Sequence, residues 1–207
     1  MADKTTFDVT MSLADKVLLD HVDSATIQKQ QNAIKGTKTL GVTEPTLMIP
    51  VPAVEWSETP DKAKGMVTLA IRKVSVAVSI TAKVMIDKAI SKGSPCYVHV
   101  FEHEKRHLEA YKKGAASRCV EVRRAVADAT APQCKAPVKV AAKDVAAFKV
   151  KAEKRIEKAL DETVLAAMKE IRAESLAIHT ADELKKTNTI CAAHLAGPAS
   201  AGSPAKP

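Results

Sequence analysis

Residues 66–86 read MVTLAIRKVSVAVSITAKVMI, and residues 97–115 read YVHVFEHEKRHLEAYKKGA after the turn sequence SKGSP. The first stretch alternates apolar and polar residues and is rich in β-branched side chains, a pattern typical of a strand in a sheet. Its apolar positions change phase at Arg72-Lys73, which predicts a tight turn or a β-bulge there. The second stretch has helical spacing from about Tyr97 to about Val126, interrupted at Gly114, so the sequence predicts a strand followed by a helix.

The rest of the chain extends this order of strands first and helices second. Alternating residues at 6–13 and the proline-containing segment 46–56 predict further strands, with a short helix between them that ends at Gly36. Apolar residues recur at helical spacing from about Ala142 to about Asp182, which predicts a long amphipathic helix. The sequence therefore predicts an α+β fold, in which an N-terminal antiparallel sheet precedes a first helix and a long helix antiparallel to it.

The chain length of 207 residues suits one domain. We expect a single domain over residues 1–195, mostly strand over 1–90 and helical over 95–190. The last stretch, 196–207, is rich in Pro, Ala, Gly and Ser, and this composition predicts a disordered tail.

Composition narrows the classes of partner. The chain has 32 Lys and Arg against 24 Asp and Glu, a formal net charge of +8, which favours an anionic partner: nucleic acid, a membrane surface, or an anionic cell-wall or surface polymer. Many of these lysines stand beside Glu on helices, a pattern also typical of a solvated helix face. Aromatic residues make up only 3%, too few for the stacking platforms of single-stranded nucleic-acid binders, so nucleic acid is not expected. No run of 18 apolar residues is present, so no membrane span is expected.

The cysteines are Cys96, Cys119, Cys134 and Cys191, and the absence of a C-x-x-C pair argues against a zinc ribbon or a thioredoxin-type site. Cys119 and Cys134 flank a short segment containing TAPQ, so we expect them to form a disulfide, which leaves Cys96 to pair with Cys191. Two disulfides predict an oxidising compartment, hence a secreted or periplasmic protein whose signal peptide is absent from this sequence. The alternative is a cytoplasmic protein with four reduced thiols.

Residues 103–107, HEKRH, form the pattern H-E-x-x-H. Positions i and i+4 of a helix share a face, so His103 and His107 can both direct ring nitrogens to one Zn²⁺; two surface histidines on a charged helix are the alternative. Glu104 is placed beside such an ion without being a ligand, where it can take a proton from a metal-activated water. Tyr111 follows His107 by one turn and is a candidate hydrogen-bond donor to a developing oxyanion, with a packing role as the alternative.

A sheet-rich half, a helix bearing HEKRH, a second long helix and paired cysteines together resemble the zincin-like metallopeptidases. Among these, the chain is most similar to the bacterial secreted zinc-dependent protease family of unknown function, over about residues 60–190, with HEKRH as the sharp match. The resemblance implies a zincin-like fold, Zn²⁺ as cofactor, His103 and His107 as metal ligands and Glu104 as general base. It implies a zinc-dependent peptidase, a hydrolase whose partner is a peptide or protein substrate.

A catalytic zinc site needs a third protein ligand. If the two long helices form an antiparallel hairpin, residues from about 164 to about 180 lie opposite His107, an interval that contains Glu170, Glu174 and His179. On one continuous helix, Glu174 lies about 40° from the centre of the apolar stripe and His179 about 100°. Glu174 is therefore the predicted third ligand and His179 the runner-up, with an ion pair between Glu174 and a Lys or Arg as the alternative.

Two functions other than peptidase stay open at this point. A module of the same fold could bind metal without catalysis, or a basic protein could bind an anionic polymer and carry HEKRH by accident. Metal analysis separates the first from the second, and loss of cleavage on replacing Glu104 separates an enzyme from both.

Overall fold

The computed structural model describes residues 5–30, 39–134 and 136–195, and it confirms the α+β class. The strands are β1 (Thr6–Val22), β2 (Gly41–Met48), β3 (Ala53–Asp61), β4 (Met66–Asp87) and β5 (Val138–Ala141). The helices are α1 (Ser24–Gln30), α2 (Pro95–Cys134), α3 (Val145–Leu176), α4 (Ala181–Ile190) and α5 (Ala192–Leu195). The predicted helix end at Gly36 and the predicted tail at 196–207 lie outside the described residues.

The 22-residue strand β4 is the centre of a five-stranded sheet, because β1, β2, β3 and β5 all pair with it. The pairings of β4 with β3 and with β5 are antiparallel. Glu55 pairs with Lys73 and Trp56 with Ile71, so Arg72 is the extra residue of β4 at this point, which confirms the β-bulge of the two predicted irregularities. The bulge keeps Ile71 and Val74 both buried although they lie three residues apart.

The described residues fall into two compact units. The first contains residues 5–14, 46–81 and 111–174 apart from 135, and its core joins strand residues to one face of α2 and one face of α3. On α3 the buried apolar positions are Ala152, Ile156, Leu160, Val164, Ala167, Met168 and Ile171. Their spacing of three and four residues is the apolar stripe that the sequence predicts for this helix.

The second unit contains residues 15–30, 39–45, 82–110 and 175–195. Its core consists of Leu40, Val84, Ile86, Ile90, Cys96, Val100 and Cys191, with Tyr97, Phe101, Leu108 and Leu195 packed against it. Cys96 and Cys191 form a disulfide, as predicted, with their Cα atoms 4.9 Å apart. This covalent link joins the first turn of α2 to the end of α4.

Helix α2 begins at Pro95, directly after Ser94, and both residue types are typical of a helix start. The Ser94 hydroxyl accepts a hydrogen bond from the backbone N–H of Tyr97 at 3.1 Å, and Pro95 occupies the first helical position, where its missing N–H costs nothing. The helix continues well beyond Val126 to Cys134, because Arg155 of α3 donates to the carbonyl of Ala129 at 2.8 Å and holds the last turns.

The predicted disulfide between Cys119 and Cys134 is wrong, since both are free cysteines. The segment between them is helical throughout, and 15 residues of α-helix span about 22 Å. A disulfide needs the two Cα atoms within about 7 Å of each other. The expected loop at TAPQ therefore does not exist, and Pro132 lies in the last turn of the helix instead.

The long helix predicted to reach about Asp182 ends earlier, at Leu176. A new helix, α4, starts at Ala181, because the Thr180 hydroxyl accepts a hydrogen bond from the backbone N–H of Glu183 at 3.2 Å. This is the N-cap arrangement, which places Thr180 in an extended conformation and stops α3 from continuing into α4. The residues between the two helices are not helical, so their side chains can point in directions that a continuous helix would not allow.

Gly114 marks no interruption of α2; it is needed for close packing inside the first unit. A Cβ atom at this position would lie 2.7 Å from Cγ1 and 2.9 Å from Cγ2 of Ile171, a fully buried side chain. We expect Gly114→Ala to lower the free energy of unfolding by about 1 to 3 kcal/mol, measured by urea denaturation, because the core must shift to admit the methyl group. In an Ile171→Ala background the same change should cost nothing or stabilise by up to about 1 kcal/mol, since Ala favours helix over Gly. An equal loss in both backgrounds would contradict the packing explanation.

Candidate metal centre

The two histidines of HEKRH face the same point, as their spacing predicts for a helix. Both lie on α2 within the second unit, with the Nε2 atoms of His103 and His107 only 3.1 Å apart. His107 is buried and His103 half-buried. Two nitrogens bound to one tetrahedral zinc at 2.0–2.1 Å are roughly 3.3 Å apart, so this pair is already spaced for a shared ion.

His179 brings a third imidazole to the same place. Its ring centroid lies 4.9 Å from that of His103 and 4.8 Å from that of His107. One ring nitrogen from each of the three residues lies within 4.8 Å of the others. His179 occupies the short connection between α3 and α4, and its side chain is exposed. Three neutral imidazoles are a donor set that zinc accepts in catalytic sites, so the residues present fit this ion.

The other ring nitrogens of the α2 pair have partners of their own. Nδ1 of His107 lies 2.8 Å from the hydroxyl of Ser175, a buried residue in the last turn of α3. Nδ1 of His103 lies 3.4 Å from Oε1 of Glu183 on α4 and 3.0 Å from a guanidinium nitrogen of Arg106. Each ring is therefore held on one side and directs its Nε2 to the centre of the cluster.

The three imidazoles are kept neutral near pH 7. Burial is the main cause that lowers the pKa of His107 to about 3, and His103, His179 and Arg106 contribute in the same direction. The pKa of His103 falls to about 4, again mainly through burial, with His179 and Arg106 acting in the same direction. Burial also lowers the pKa of His179. A neutral imidazole has the free lone pair that metal ligation requires, so no proton has to be displaced at neutral pH.

Glu104 is 3% exposed and lies against strand β2. The hydroxyl of Thr43 donates to its Oε2 at 2.8 Å, and burial raises the pKa of this carboxyl to about 7. Gly41 allows the strand to approach, because a Cβ there would stand 2.5 Å from Cγ1 of Val100 and 3.0 Å from Oε1 of Glu104. Glu104 is not one of the three clustered ligands, which agrees with the non-ligand position that the motif predicts.

The charged middle residues of HEKRH are accommodated by ion pairs at the surface. Lys105 pairs with Glu102 at 2.9 Å, and Arg106 forms an ion pair with Glu183. The hydrogen bond from Arg106 lowers the pKa of Glu183, which keeps this carboxylate charged. His99, one turn before the motif, is outside the cluster and has its Nε2 2.8 Å from the hydroxyl of Thr187.

The structure groups the predicted runner-up His179, and not Glu174, with the two motif histidines. Glu174 lies in the first unit, where it pairs with Arg118 at 2.9 Å, and Glu170 pairs with the same guanidinium at 3.0 Å. The ion-pair alternative therefore describes Glu174. Tyr111 also lies in the first unit, where its ring is 5% exposed within the core, which agrees with the packing alternative.

Sequence reasoning missed several residues around the cluster, among them Gly41, Thr43, Ser175 and Glu183. Only Glu183 had a clear signal: residues 180–183 read TADE, the capping-box pattern of a helix start. This pattern predicts that α3 ends before His179, so the helical phase that argues against His179 as a ligand does not apply to it. Thr43 and Ser175 are short hydroxyl side chains without a local pattern, and only the packing of distant segments identifies them.

Compared with known protein families, curated proteins and solved structures, the chain has no significant match in any of the three. Among the described helices, none is long and apolar enough to cross a membrane. Function is therefore inferred from the site itself.

Proposed function

We propose that this protein is a zinc-dependent peptidase in which His103, His107 and His179 hold the metal and Glu104 is the general base. The observation that carries the proposal is the convergence of three imidazoles within 4.8 Å, two of them from an H-E-x-x-H motif on one helix. The likeness of this motif and its setting to the zincin-like metallopeptidases supports peptide-bond hydrolysis as the reaction.

Bound zinc would supply Lewis acidity and lower the pKa of a coordinated water. The chain's own residues would bind the ion and move the proton. His103, His107 and His179 would hold the ion through neutral ring nitrogens, and Glu104 would take a proton from the attacking water at one carboxylate oxygen while Thr43 holds Oε2. Glu104 then passes that proton to the nitrogen of the leaving amine, so one group acts first as base and then as acid.

A module that binds zinc without catalysis is the second candidate. The observation in its favour is that the Glu104 carboxylate is almost inaccessible to solvent and already accepts a hydrogen bond from Thr43. If that hydrogen bond is the main role of Glu104, the residue anchors α2 to β2 and takes no part in a reaction. The two candidates share the metal and differ only in what Glu104 does.

We expect Glu104→Gln to keep one zinc per chain and to lower hydrolysis of fluorescein-labelled denatured casein by about 10²- to 10⁴-fold, because the amide cannot accept the proton. Zinc content is measured by elemental analysis and cleavage by fluorescence. Glu102→Gln is the matched control, since Glu102 lies on the same helix but is exposed and paired with Lys105. This control should retain full cleavage.

Two outcomes decide between the candidates. Casein cleavage that a chelator abolishes and added zinc restores, and that Glu104→Gln removes, supports the peptidase. Zinc binding at one equivalent with no cleavage of casein by the wild-type protein contradicts the peptidase and supports the non-catalytic module. Wild-type protein without zinc affinity would contradict both.

The Cys96–Cys191 disulfide supports an oxidising compartment, and we infer a secreted or periplasmic protein. Disulfides that link segments far apart in the chain are rare among proteins kept in reducing surroundings. This inference is independent of the metal, because a thiol count on protein isolated from its native compartment tests it directly. Two titratable thiols before reduction and four after it are expected.

A further inference from the structure

The nine-residue segment 175–183 contributes three side chains to the metal centre, in addition to the two histidines of α2. Ser175 contacts His107, Glu183 contacts His103, and His179 stands midway between them in the sequence. The segment is not one helix, because α3 ends at Leu176 and α4 begins at Ala181. Its three site residues therefore converge through a break in helical structure and not through periodicity.

The two ring nitrogens of each α2 histidine have different surroundings. The Nε2 atoms of His103 and His107 face each other at 3.1 Å, whereas each Nδ1 faces an oxygen of the segment 175–183. In metal sites, a ligating imidazole almost always donates its other N–H to an oxygen acceptor, which selects the tautomer and fixes the plane of the ring. Ser175 and Glu183 stand where such acceptors are needed.

We propose that Ser175 and Glu183 are positioning residues that accept the Nδ1–H of His107 and of His103 and thereby direct both Nε2 lone pairs to the cation. The inference rests on the metal centre of the proposed function, and it adds that the segment 175–183 supplies one ligand and both orienting acceptors. Neither residue belongs to the cluster of three histidines, so each would act through a histidine.

Arg106 is the reason why His103 needs Glu183 as a hydrogen-bond acceptor. A guanidinium nitrogen of Arg106 lies 3.0 Å from Nδ1 of His103 and can donate a hydrogen bond only to the tautomer whose proton is on Nε2, which cannot bind metal there. Glu183 forms an ion pair with Arg106 and also faces the same Nδ1, so it favours the opposite tautomer. Glu183 therefore competes with Arg106 for His103.

The position of Glu183 is set by elements outside the cluster. Thr180 caps α4 through the backbone N–H of Glu183, and the hydroxyl of Thr187, one turn later, lies 2.8 Å from Nε2 of His99 on α2. Cys191 then ties the end of α4 to Cys96. A carboxylate held at this many points loses little conformational freedom when it accepts a hydrogen bond, which is what an orienting group requires.

We expect Glu183→Ala and Ser175→Ala each to weaken zinc binding by about 10- to 100-fold, measured by competition with a chromophoric chelator. Asp182→Ala is the matched control, because Asp182 lies in the same first turn of α4 and carries the same charge but is exposed. Its zinc affinity should stay within about twofold of wild type. The visible absorption of the Co²⁺-loaded protein should change in the first two variants and not in the control.

A double-mutant cycle separates orientation from simple neutralisation of Arg106. If Glu183 orients His103, Glu183→Ala should still weaken zinc binding at least tenfold when Arg106 is already Gln. If Glu183 only cancels the charge of Arg106, the cost disappears in that background, and the inference is wrong. The thermal unfolding of the metal-free proteins, followed by circular dichroism, should differ little between Glu183→Ala and Asp182→Ala; a selective collapse of the former would also overturn the inference.

Failure of this inference is distinguishable from failure of the proposed function. Wild-type zinc binding that His179→Ala abolishes, together with unchanged affinity in the Glu183 and Ser175 variants, overturns the inference and leaves the metal centre standing. A wild-type protein that does not bind zinc overturns both. Loss of affinity in the two variants without any casein cleavage supports the inference and contradicts the peptidase.

Discussion

Replacing His179 with Ala should lower the affinity for zinc by more than about 100-fold, because it removes one of the three proposed ligands, and even the loss of an outer hydrogen-bond partner costs about 10- to 100-fold. The remaining pair, His103 and His107, offers only two nitrogens, fewer than the three protein ligands of a catalytic zinc site. Chelator competition measures the affinity, and elemental analysis measures the zinc retained after dialysis. The metal-free variant should fold normally, since the His179 side chain is exposed.

Glu174→Ala is the decisive control, because helical phase alone predicts Glu174 as the third ligand. In the structure its carboxylate pairs with Arg118, so its removal should leave zinc affinity within about twofold of wild type. If Glu174→Ala lost zinc and His179→Ala retained it, the metal centre described here would be wrong. His194→Ala, at a histidine outside the cluster, should behave like Glu174→Ala.

The double variant Cys96→Ser/Cys191→Ser should lose about 2 to 5 kcal/mol of stability, the second large effect. The disulfide spans 95 residues, and the chain-entropy treatment of so long a loop gives a value near the upper end of that range, about 4.7 kcal/mol. Both cysteines are also buried in the core of the second unit. Urea unfolding followed by far-ultraviolet circular dichroism measures the change in midpoint and slope.

Cys119→Ser/Cys134→Ser is the matched control for this prediction. These cysteines are free and half-buried, so their replacement should cost less than about 1 kcal/mol. Reduction of the wild-type protein should reproduce the loss seen in Cys96→Ser/Cys191→Ser and should have no effect on that variant. Equal losses in the two double variants would contradict the observed pairing.

Local sequence patterns were sufficient for the features that neighbouring residues decide. Alternation along 66–86 predicted β4, and its change of phase predicted the bulge at Arg72, because the side chains of a strand must return to the buried face after an extra residue. The spacing of HEKRH predicted two imidazoles on one face of α2, since four residues make about one helical turn. No knowledge of distant segments enters these inferences.

The wrong predictions share one cause, an element end placed several residues from its true position. The expected loop at TAPQ produced the false Cys119–Cys134 pair, and the unbroken helix to Asp182 turned His179 away from the site. Successive side chains of a helix are rotated by about 100°, and this relation holds only as far as the helix extends, so the phase of α3 cannot give the direction of His179, which lies beyond Leu176. A tertiary contact from Arg155 holds the end of α2, whereas the local N-cap at Thr180 separates α3 from α4.

By itself, the sequence determined the α+β class, the bulged central strand and the pair of histidines with Glu104 between them. The tertiary structure alone decided that His179 is the third imidazole, that Ser175 and Glu183 face the other two rings, and that Thr43 holds Glu104. The physical reason is the separation along the chain of the residues that must be related. Backbone periodicity relates residues within one element, whereas this site joins segments 61 residues or more apart, and only the packed chain specifies which of their side chains meet.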